Sequence, residues 1–321
     1  RRHTQRIVFT EGDNYRILKA AEILISNGVA KPILLGSKEK MEAIIEEYQL
    51  ELQEAEFIDI MADRDGREMY AARMYEFRKR RGWTMGECRS KIKSREYYGN
   101  MMLRDGGADA LISGLTVKYP TALRPILRII GMEEGMRKAA GMYILLSKRG
   151  PMFFADTTIN LDPTVEDLVQ MVLNVADTVK RTNITPKVAL LSYSNFGSSN
   201  GPDARKMAKA SAILRKEHPD LIVDGEMQAN FALEPELLEE SFPFSDLVGH
   251  RANVFIFPNL AAGNITYKML QSFGAAEAIG PMLIGTKNSA HVLQLGASVR
   301  EIVNMATLAA VDARNRKVKK V

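Results

Sequence analysis

Short apolar segments alternate with longer amphipathic stretches along almost the whole chain, and this alternation constrains the fold more than any other feature. The short segments are rich in Val, Ile, Leu and Phe and run nearly continuously apolar. Such strands are typical of parallel sheets that helices cover on both faces. The pattern therefore predicts an α/β fold with helical crossovers. The predicted strands are residues 7–10, 32–35, 57–60, 108–113, 142–147, 188–192, 221–224, 254–257 and 281–284.

The length and two breaks in the pattern indicate how these elements are divided. At 321 residues the chain is about twice as long as one ordinary domain. A turn-rich stretch, Ser147-Lys148-Arg149-Gly150-Pro151, and a second change in character at 280–285 mark the breaks. We predict two α/β/α lobes with a cleft between them, the first from residues 1–147 and 286–321 and the second from 148–285. Amphipathic helices are predicted at 16–25, 165–179, 203–216 and 299–312.

Composition argues against several other classes of protein. The apolar runs are far shorter than the ~18 residues of a membrane helix, so we expect no membrane partner. One cysteine and four scattered histidines predict neither a disulfide nor a metal site, and favour a reducing cytoplasm. Interspersed charges summing to +5, with 7% aromatic residues, argue against nucleic acid. The first residue is Arg, not Met, which fits a piece of a longer polypeptide as well as processing or disorder.

Two loops between a strand and a helix have the composition of an anion site. Ser113 and Thr116 bracket the first loop, and the second, at 192–202, contains Ser198 among other serines and glycines. Hydroxyl and amide groups before a helix can hold a phosphate, because the helix N-terminus carries unpaired N–H groups. Ordinary turn and capping interactions explain the same residues. Neither loop matches a P-loop or a dinucleotide motif.

Ser298 and Glu301 have the spacing of a helix capping box. In that arrangement the serine accepts from an amide in the first turn and the glutamate reaches back to the serine. Glu301 therefore has a purely structural role available, whatever else it does.

A series of sequence blocks in a fixed order carries a family resemblance. The blocks include Phe154-Ala155-Asp156, Leu190-Leu191-Ser192-Tyr193-Ser194, Asp224-Gly225-Glu226-Met227-Gln228, Asn253-Val254-Phe255-Ile256-Phe257-Pro258-Asn259-Leu260, Ala262-Gly263-Asn264-Ile265 and Ile302-Val303-Asn304-Met305. Together they resemble the signature of phosphate acetyltransferases over essentially the whole chain. The resemblance implies two α/β/α lobes like those of isocitrate and isopropylmalate dehydrogenases, a cleft site for coenzyme A and acetyl phosphate, and a homodimer.

The resemblance also implies roles for single residues. Arg78 and Arg124 match family arginines near the coenzyme site, and Glu301 matches an acidic residue proposed as the base for the coenzyme A thiol. An active enzyme would need another phosphate contact, such as Lys287 or Ser198. The expected ligand-binding set is Arg78, Ser113, Thr116, Arg124, Ser198, Lys287 and Ser298.

Three departures from the family pattern argue against efficient catalysis. At the positions where the family has a serine and an arginine that act on the thiol and acetyl phosphate, this chain has Gln294 and Leu295. Ser272 replaces another family arginine. Loss of one group that stabilises developing negative charge costs on the order of 100- to 1000-fold in rate. We therefore expect a catalytically degenerate site.

This combination most resembles the phosphotransacetylase-like C-terminal region of multidomain NADP-dependent malic enzymes. There a preceding module binds NADP and a divalent metal, and the appended module is implicated in oligomerisation and in inhibition by acetyl-CoA. We expect a regulatory and assembly module that forms at least a dimer, binds acetyl-CoA or coenzyme A, and holds no covalent cofactor and no metal. The alternatives are an active phosphate acetyltransferase and a purely structural assembly module.

Overall fold

The computed structural model describes residues 4–274 and 277–318, and within these ranges the chain forms two compact units. The second unit is Gly135–Gly285, and the chain before and after it forms the first unit. None of the helices in the described ranges is long and apolar enough to cross a membrane.

A five-stranded parallel sheet forms the centre of the first unit. Its strands are β1 (Gln5–Phe9), β2 (Ala30–Leu35), β3 (Glu56–Ile58), β4 (Ala110–Ser113) and β11 (Ser289–Val292), in the order β11-β4-β1-β2-β3. Every residue of β4 and β11 is buried, as expected for parallel strands covered on both faces. The helices are α1 (Tyr15–Ser26), α2 (Lys38–Tyr48), α3 (Arg64–Arg78), α4 (Met85–Lys91), α5 (Arg95–Arg104), α6 (Tyr119–Ile129) and α12 (Val299–Val318), and a 3-10 turn covers Lys79–Arg81.

The second unit contains a six-stranded sheet in which most neighbours are parallel. Its strands are β5 (Ala140–Ser147), β6 (Gly150–Ala155), β7 (Lys187–Leu191), β8 (Ile222–Met227), β9 (Val254–Ile256) and β10 (Glu277–Ile284), in the order β10-β5-β6-β9-β7-β8. Only β5 runs antiparallel to its neighbours, β6 and β10. The helices are α7 (Val165–Lys180), α8 (Pro202–Glu217), α9 (Ala229–Leu233), α10 (Pro235–Ser241) and α11 (Leu260–Ser272).

The two separate sheets confirm the predicted α/β class, but the first boundary lies elsewhere. The predicted strand at 142–147 belongs to the second sheet as β5. The turn-rich stretch after it is the hairpin turn between β5 and β6, where the Ser147 hydroxyl donates to the Gly150 carbonyl at 3.0 Å. In the structure the first unit therefore ends at Glu134, and not at residue 147.

Candidate functional site

The loops after β4 and β11 meet at one edge of the first sheet, because these strands are parallel neighbours. The amide of Gly296 donates to the carbonyl of Leu115 at 3.0 Å. Gln294 and Leu295 therefore lie beside the loop that contains Ser113, as a strand-end site requires. The side chain of Leu295 is 61% exposed, so this loop presents an apolar group to solvent.

The loop after β4 does not offer a free anion site, because Glu11 fills it. The Glu11 carboxylate accepts hydrogen bonds from the three successive amides of 114–116 at 2.6 to 2.9 Å, and from the Thr116 hydroxyl at 2.7 Å. The buried Ser113 hydroxyl accepts from Thr10 at 2.8 Å. The donors expected to hold a ligand phosphate instead hold a carboxylate of the chain itself.

The polar loop at 192–202 is closed in the same way by Glu226, which is 2% exposed. One of its carboxylate oxygens accepts from the Ser194 hydroxyl and from the Gly197 amide, each at 2.8 Å. The Ser198 hydroxyl lies 3.2 Å from that of Ser194. Ser198 therefore takes part in the internal hydrogen bonds of this loop.

Glu301 and Ser298 form the predicted capping box at the start of α12. One Glu301 oxygen accepts from the amide and from the hydroxyl of Ser298, both at 2.8 Å, and the Glu301 amide donates to that hydroxyl at 3.2 Å. These contacts satisfy donors that the first helical turn leaves unpaired. The structure thus brings Glu301 to the strand-end edge in a capping role.

A cavity of about 450 Å³ in the first unit is walled by positive charge, and we call it the cationic cavity. Phe77, Leu127 and the segment 129–132 form its apolar and backbone walls. Its charged groups come from the end of α3, the 3-10 turn, the end of α5, α6 and the segment before β11. The cationic residues are Arg78, Arg81, Arg104, Arg128 and Lys287.

Arg78 is the most constrained of these groups. It is 8% exposed, and its Nε has no hydrogen-bond partner within the described part of the chain. Burial lowers the pKa of the Arg78 guanidinium, and the three neighbouring guanidinium groups lower it further. Its Cζ lies 5.4 Å from the centre of the Trp83 ring. A buried cationic donor without a partner is costly.

Two of the predicted ligand-binding residues, Arg78 and Lys287, meet in this cavity. Arg124 does not line it and is exposed on α6, while Arg128, one turn further along the helix, does line it. The dense basic run at 78–81 could have indicated this cavity from the sequence, because both of its end residues line the cavity. The cationic residues missed from the sequence are Arg81, Arg104 and Arg128.

The groups of the cationic cavity determine what it can bind. Guanidinium groups hold phosphate oxygens in a bidentate manner, and an ammonium group adds a mobile point charge. Phe77 and Leu127 place apolar surface beside these charges. The cavity therefore suits a ligand with several phosphate groups and an apolar portion. Across residues 4–274 and 277–318, no group of three or more His, Cys, Asp or Glu residues is placed to hold a metal ion.

Comparison with known proteins places this architecture in a family. A family model described as phosphate acetyl/butaryl transferase matches residues 1–310. The chain belongs to this family. The expectation drawn from the sequence blocks is thereby confirmed, and it applies to nearly the whole chain.

Members of the phosphate acetyl/butaryl transferase family similar to this chain occur both alone and within longer proteins. The chain is 38% identical over 319 residues to an NADP-dependent malic enzyme of Salmonella typhimurium, covering 98% of the chain but 42% of that protein. It is 34% identical to a phosphate acetyltransferase of Clostridium acetobutylicum, covering 97% of the chain and 95% of that enzyme. A solved phosphotransacetylase from Streptococcus pyogenes is 33% identical with a TM-score of 0.89, covering 97% and 94% of the two chains. The chain thus spans less than half of the malic enzyme.

Proposed function

We propose that this chain is a regulatory module that binds acetyl-CoA in the cationic cavity and does not catalyse transfer of the acetyl group. The observation that carries this proposal is the group of four arginines and one lysine that line a single cavity, with Arg78 largely buried among them. Coenzyme A presents a pyrophosphate and a phosphomonoester, which match the cluster of guanidinium and ammonium groups. The apolar wall beside them suits the remainder of the coenzyme.

The strand-end loops support the second half of the proposal. Transfer of the acetyl group requires a base for the thiol and cations that stabilise the charge developing on phosphate as the thiolate attacks the acetyl carbon. Here Glu301 is engaged in the capping box, and Leu295 is an exposed apolar residue in the arginine column. Gln294 and Ser272 replace the other reactive family residues.

The proposal places the chain within a malic enzyme. Its support is the match to malic enzymes, of which the chain covers about 42%. In such a protein the remaining part would bind NADP and a divalent metal and decarboxylate malate in the cytoplasm. This module would assemble at least a dimer and transmit inhibition by acetyl-CoA.

Two measurements on the full chain test the proposal. Isothermal titration with acetyl-CoA is expected to show saturable binding, and an assay with coenzyme A and acetyl phosphate is expected to show no acetyl-CoA above background. Turnover at about 1 per second or faster, which is ordinary for an enzyme, would contradict the proposed regulatory function and favour an active phosphate acetyltransferase. Absence of binding together with absence of turnover would favour a purely structural assembly module.

A double variant tests whether Gln294 and Leu295, in place of the family's serine and arginine, explain the proposed loss of acetyltransferase activity. Gln294→Ser with Leu295→Arg restores the family residues in a loop where residue 295 is exposed, so the larger side chain has room. We expect the variant to form acetyl-CoA at a rate measurably above background, because each restored group stabilises the reacting charges. An unchanged rate in a folded variant would show that other positions, such as Glu301 in its capping role, abolish catalysis.

A further inference from the structure

The chain leaves the first unit and returns to it through two segments that run side by side. The outgoing segment is 129–134 and the return segment is 286–288, and both belong to the first unit. Met132 and Thr286 form an isolated antiparallel bridge between them. We call these two segments the crossover pair.

Arg316 of α12 holds the crossover pair from one side. Its Nη1 donates to the Glu133 carboxylate at 2.5 Å and to the Thr286 carbonyl at 2.7 Å, so one guanidinium contacts both segments. Its Nε donates to Asp312 at 2.7 Å, which fixes the orientation of the guanidinium. The side chain of Arg316 is 11% exposed, and charge-assisted bonds are strong where water is scarce.

The cationic cavity adjoins the same pair of segments. Residues 129–132 of the outgoing segment form part of its wall, and the side chain of Lys287 in the return segment is one of its cations. The amide of Lys287 donates to the carbonyl of Gly131 at 3.1 Å. The residue that offers charge to a ligand is therefore also a residue that joins the two segments.

We infer that a ligand in the cationic cavity controls whether the crossover pair is closed or open. A polyphosphate held jointly by Lys287, Arg78 and Arg128 ties the return segment to α3 and α6 and keeps the pair closed. Without an anion the positive groups on the wall repel one another, which favours separation of the segments. The inference rests on the proposed function, because it assigns the ligand to the same cavity.

Amide hydrogen exchange of the full chain tests this coupling, with pyrophosphate and coenzyme A as separate probes. The amide to follow is that of Lys287, which exchanges when its bond to Gly131 opens. At about 100 times the Kd measured by titration, a ligand that binds only the closed pair slows this exchange about 100-fold. Less than a twofold change, with saturation shown by titration, would overturn the inference and leave the proposed function intact.

The variant Lys287→Met separates the coupling from simple binding. Because the four arginines of the cavity remain, the variant should still bind pyrophosphate, but more weakly. Exchange in the variant and in the parent chain is therefore compared at matched saturation. We expect protection of the amide of residue 287 to fall from about 100-fold in the parent chain to about 3-fold or less in the variant. If the arginines alone made the ligand prefer the closed pair, protection would stay near 100-fold. Equal protection in Lys287→Met and the parent chain would overturn the inference.

A control variant and the two probes keep the outcomes distinct. Lys317→Met removes a lysine that pairs with Asp109 at 3.0 Å and does not line the cationic cavity, so it should retain full protection. Loss of protection in this control would overturn the role given to Lys287. Protection by pyrophosphate without any binding of acetyl-CoA would support the inference and contradict the proposed function.

Discussion

Arg78 ends α3 with its guanidinium largely withdrawn from solvent. Its Nε has no hydrogen-bond partner among the residues that the structure describes. Burial lowers the pKa of its guanidinium, and three other guanidinium groups around the cavity lower it further. A residue in this position contributes little to the stability of the unliganded fold, since an unsatisfied buried donor costs about 1 to 3 kcal/mol. Its chemistry is suited to an anionic ligand.

Replacing this residue should separate binding from stability. Arg78→Met is expected to lower acetyl-CoA affinity about tenfold to hundredfold, the value of one charge-assisted hydrogen bond, while the free energy of unfolding stays equal or rises. Titration calorimetry and urea denaturation measure the two quantities. Arg124→Met is the matched control, because Arg124 is exposed and outside the cavity. A larger loss of affinity in Arg124→Met than in Arg78→Met would move the ligand to the site expected from the family match.

At the scale of the secondary-structure elements, two strand-end loops are each filled by an acidic side chain from another part of the chain, where a ligand anion was expected. Glu11 holds the loop after β4 and Glu226 holds the loop after β7. Both carboxylates are buried, at 5% and 2% exposure. A buried carboxylate is tolerated because several N–H and O–H groups converge on it.

The substitution Glu11→Gln should weaken the first unit more than the same change at an exposed site. The amide group of glutamine turns donors toward the backbone amides of 114–116, so we expect a loss of about 2 to 3 kcal/mol in the free energy of unfolding. Glu301→Gln, in the exposed capping box, should cost about 1 kcal/mol or less. Urea denaturation followed by the fluorescence of Trp83, the one tryptophan, measures both. Equal losses would show that the buried carboxylate contributes no more than a cap.

Most strands could be predicted because their sequence pattern lies within a few neighbouring residues. Each predicted strand has a counterpart in the structure, because continuous apolar runs mark buried strands. β11 was missed because it carries Ser289 and His291, whose side chains meet at 3.0 Å inside the core. β6 was missed because Gly150-Pro151 at its start resembles a turn.

The site was less predictable, since its contacts join distant parts of the chain. The loop after β4 has the composition of an anion site, but the acceptor that fills it, Glu11, lies 103 to 105 positions away. Arg78 and Lys287 were found by family resemblance and by chemical type. Arg104 and Arg128 lie in unremarkable helix sequence, and only the fold brings them to the same cavity.

In the molecule as a whole, the proposed ligand site and the buried histidine with a shifted pKa both belong to the first unit. This unit contains the cationic cavity, the crossover pair and His291. His291 is fully buried, and burial lowers its pKa to about 4, while Asp312 opposes this shift and Arg316 adds to it. The Ser289 hydroxyl lies 3.0 Å from its Nε2. His291 is therefore neutral in the folded unit over most of the pH range in which it would be charged when unfolded.

The stability of the first unit should decline in mild acid. Because the unfolded chain binds a proton at His291 below pH 6.5 and the folded unit does so only near pH 4, the free energy of unfolding falls as the pH drops between these values. The expected loss from this group is up to about 3 kcal/mol. Urea denaturation at several pH values, followed by Trp83 fluorescence, measures the slope. His291→Gln should flatten the curve between pH 6.5 and 4, and an unchanged slope would assign the effect to other groups.

Because Glu11 supplies the negative charge for the loop after β4, the shape of that loop does not depend on a bound substrate. A protein built in this way can lose its reactive side chains one at a time during evolution and keep its outline throughout. Under the proposed regulatory function, Leu295 is an example of such drift, since it lies exposed beside an intact loop. Descendants that no longer perform the ancestral reaction can therefore retain its full architecture, and shared shape within this lineage is a poor guide to shared chemistry.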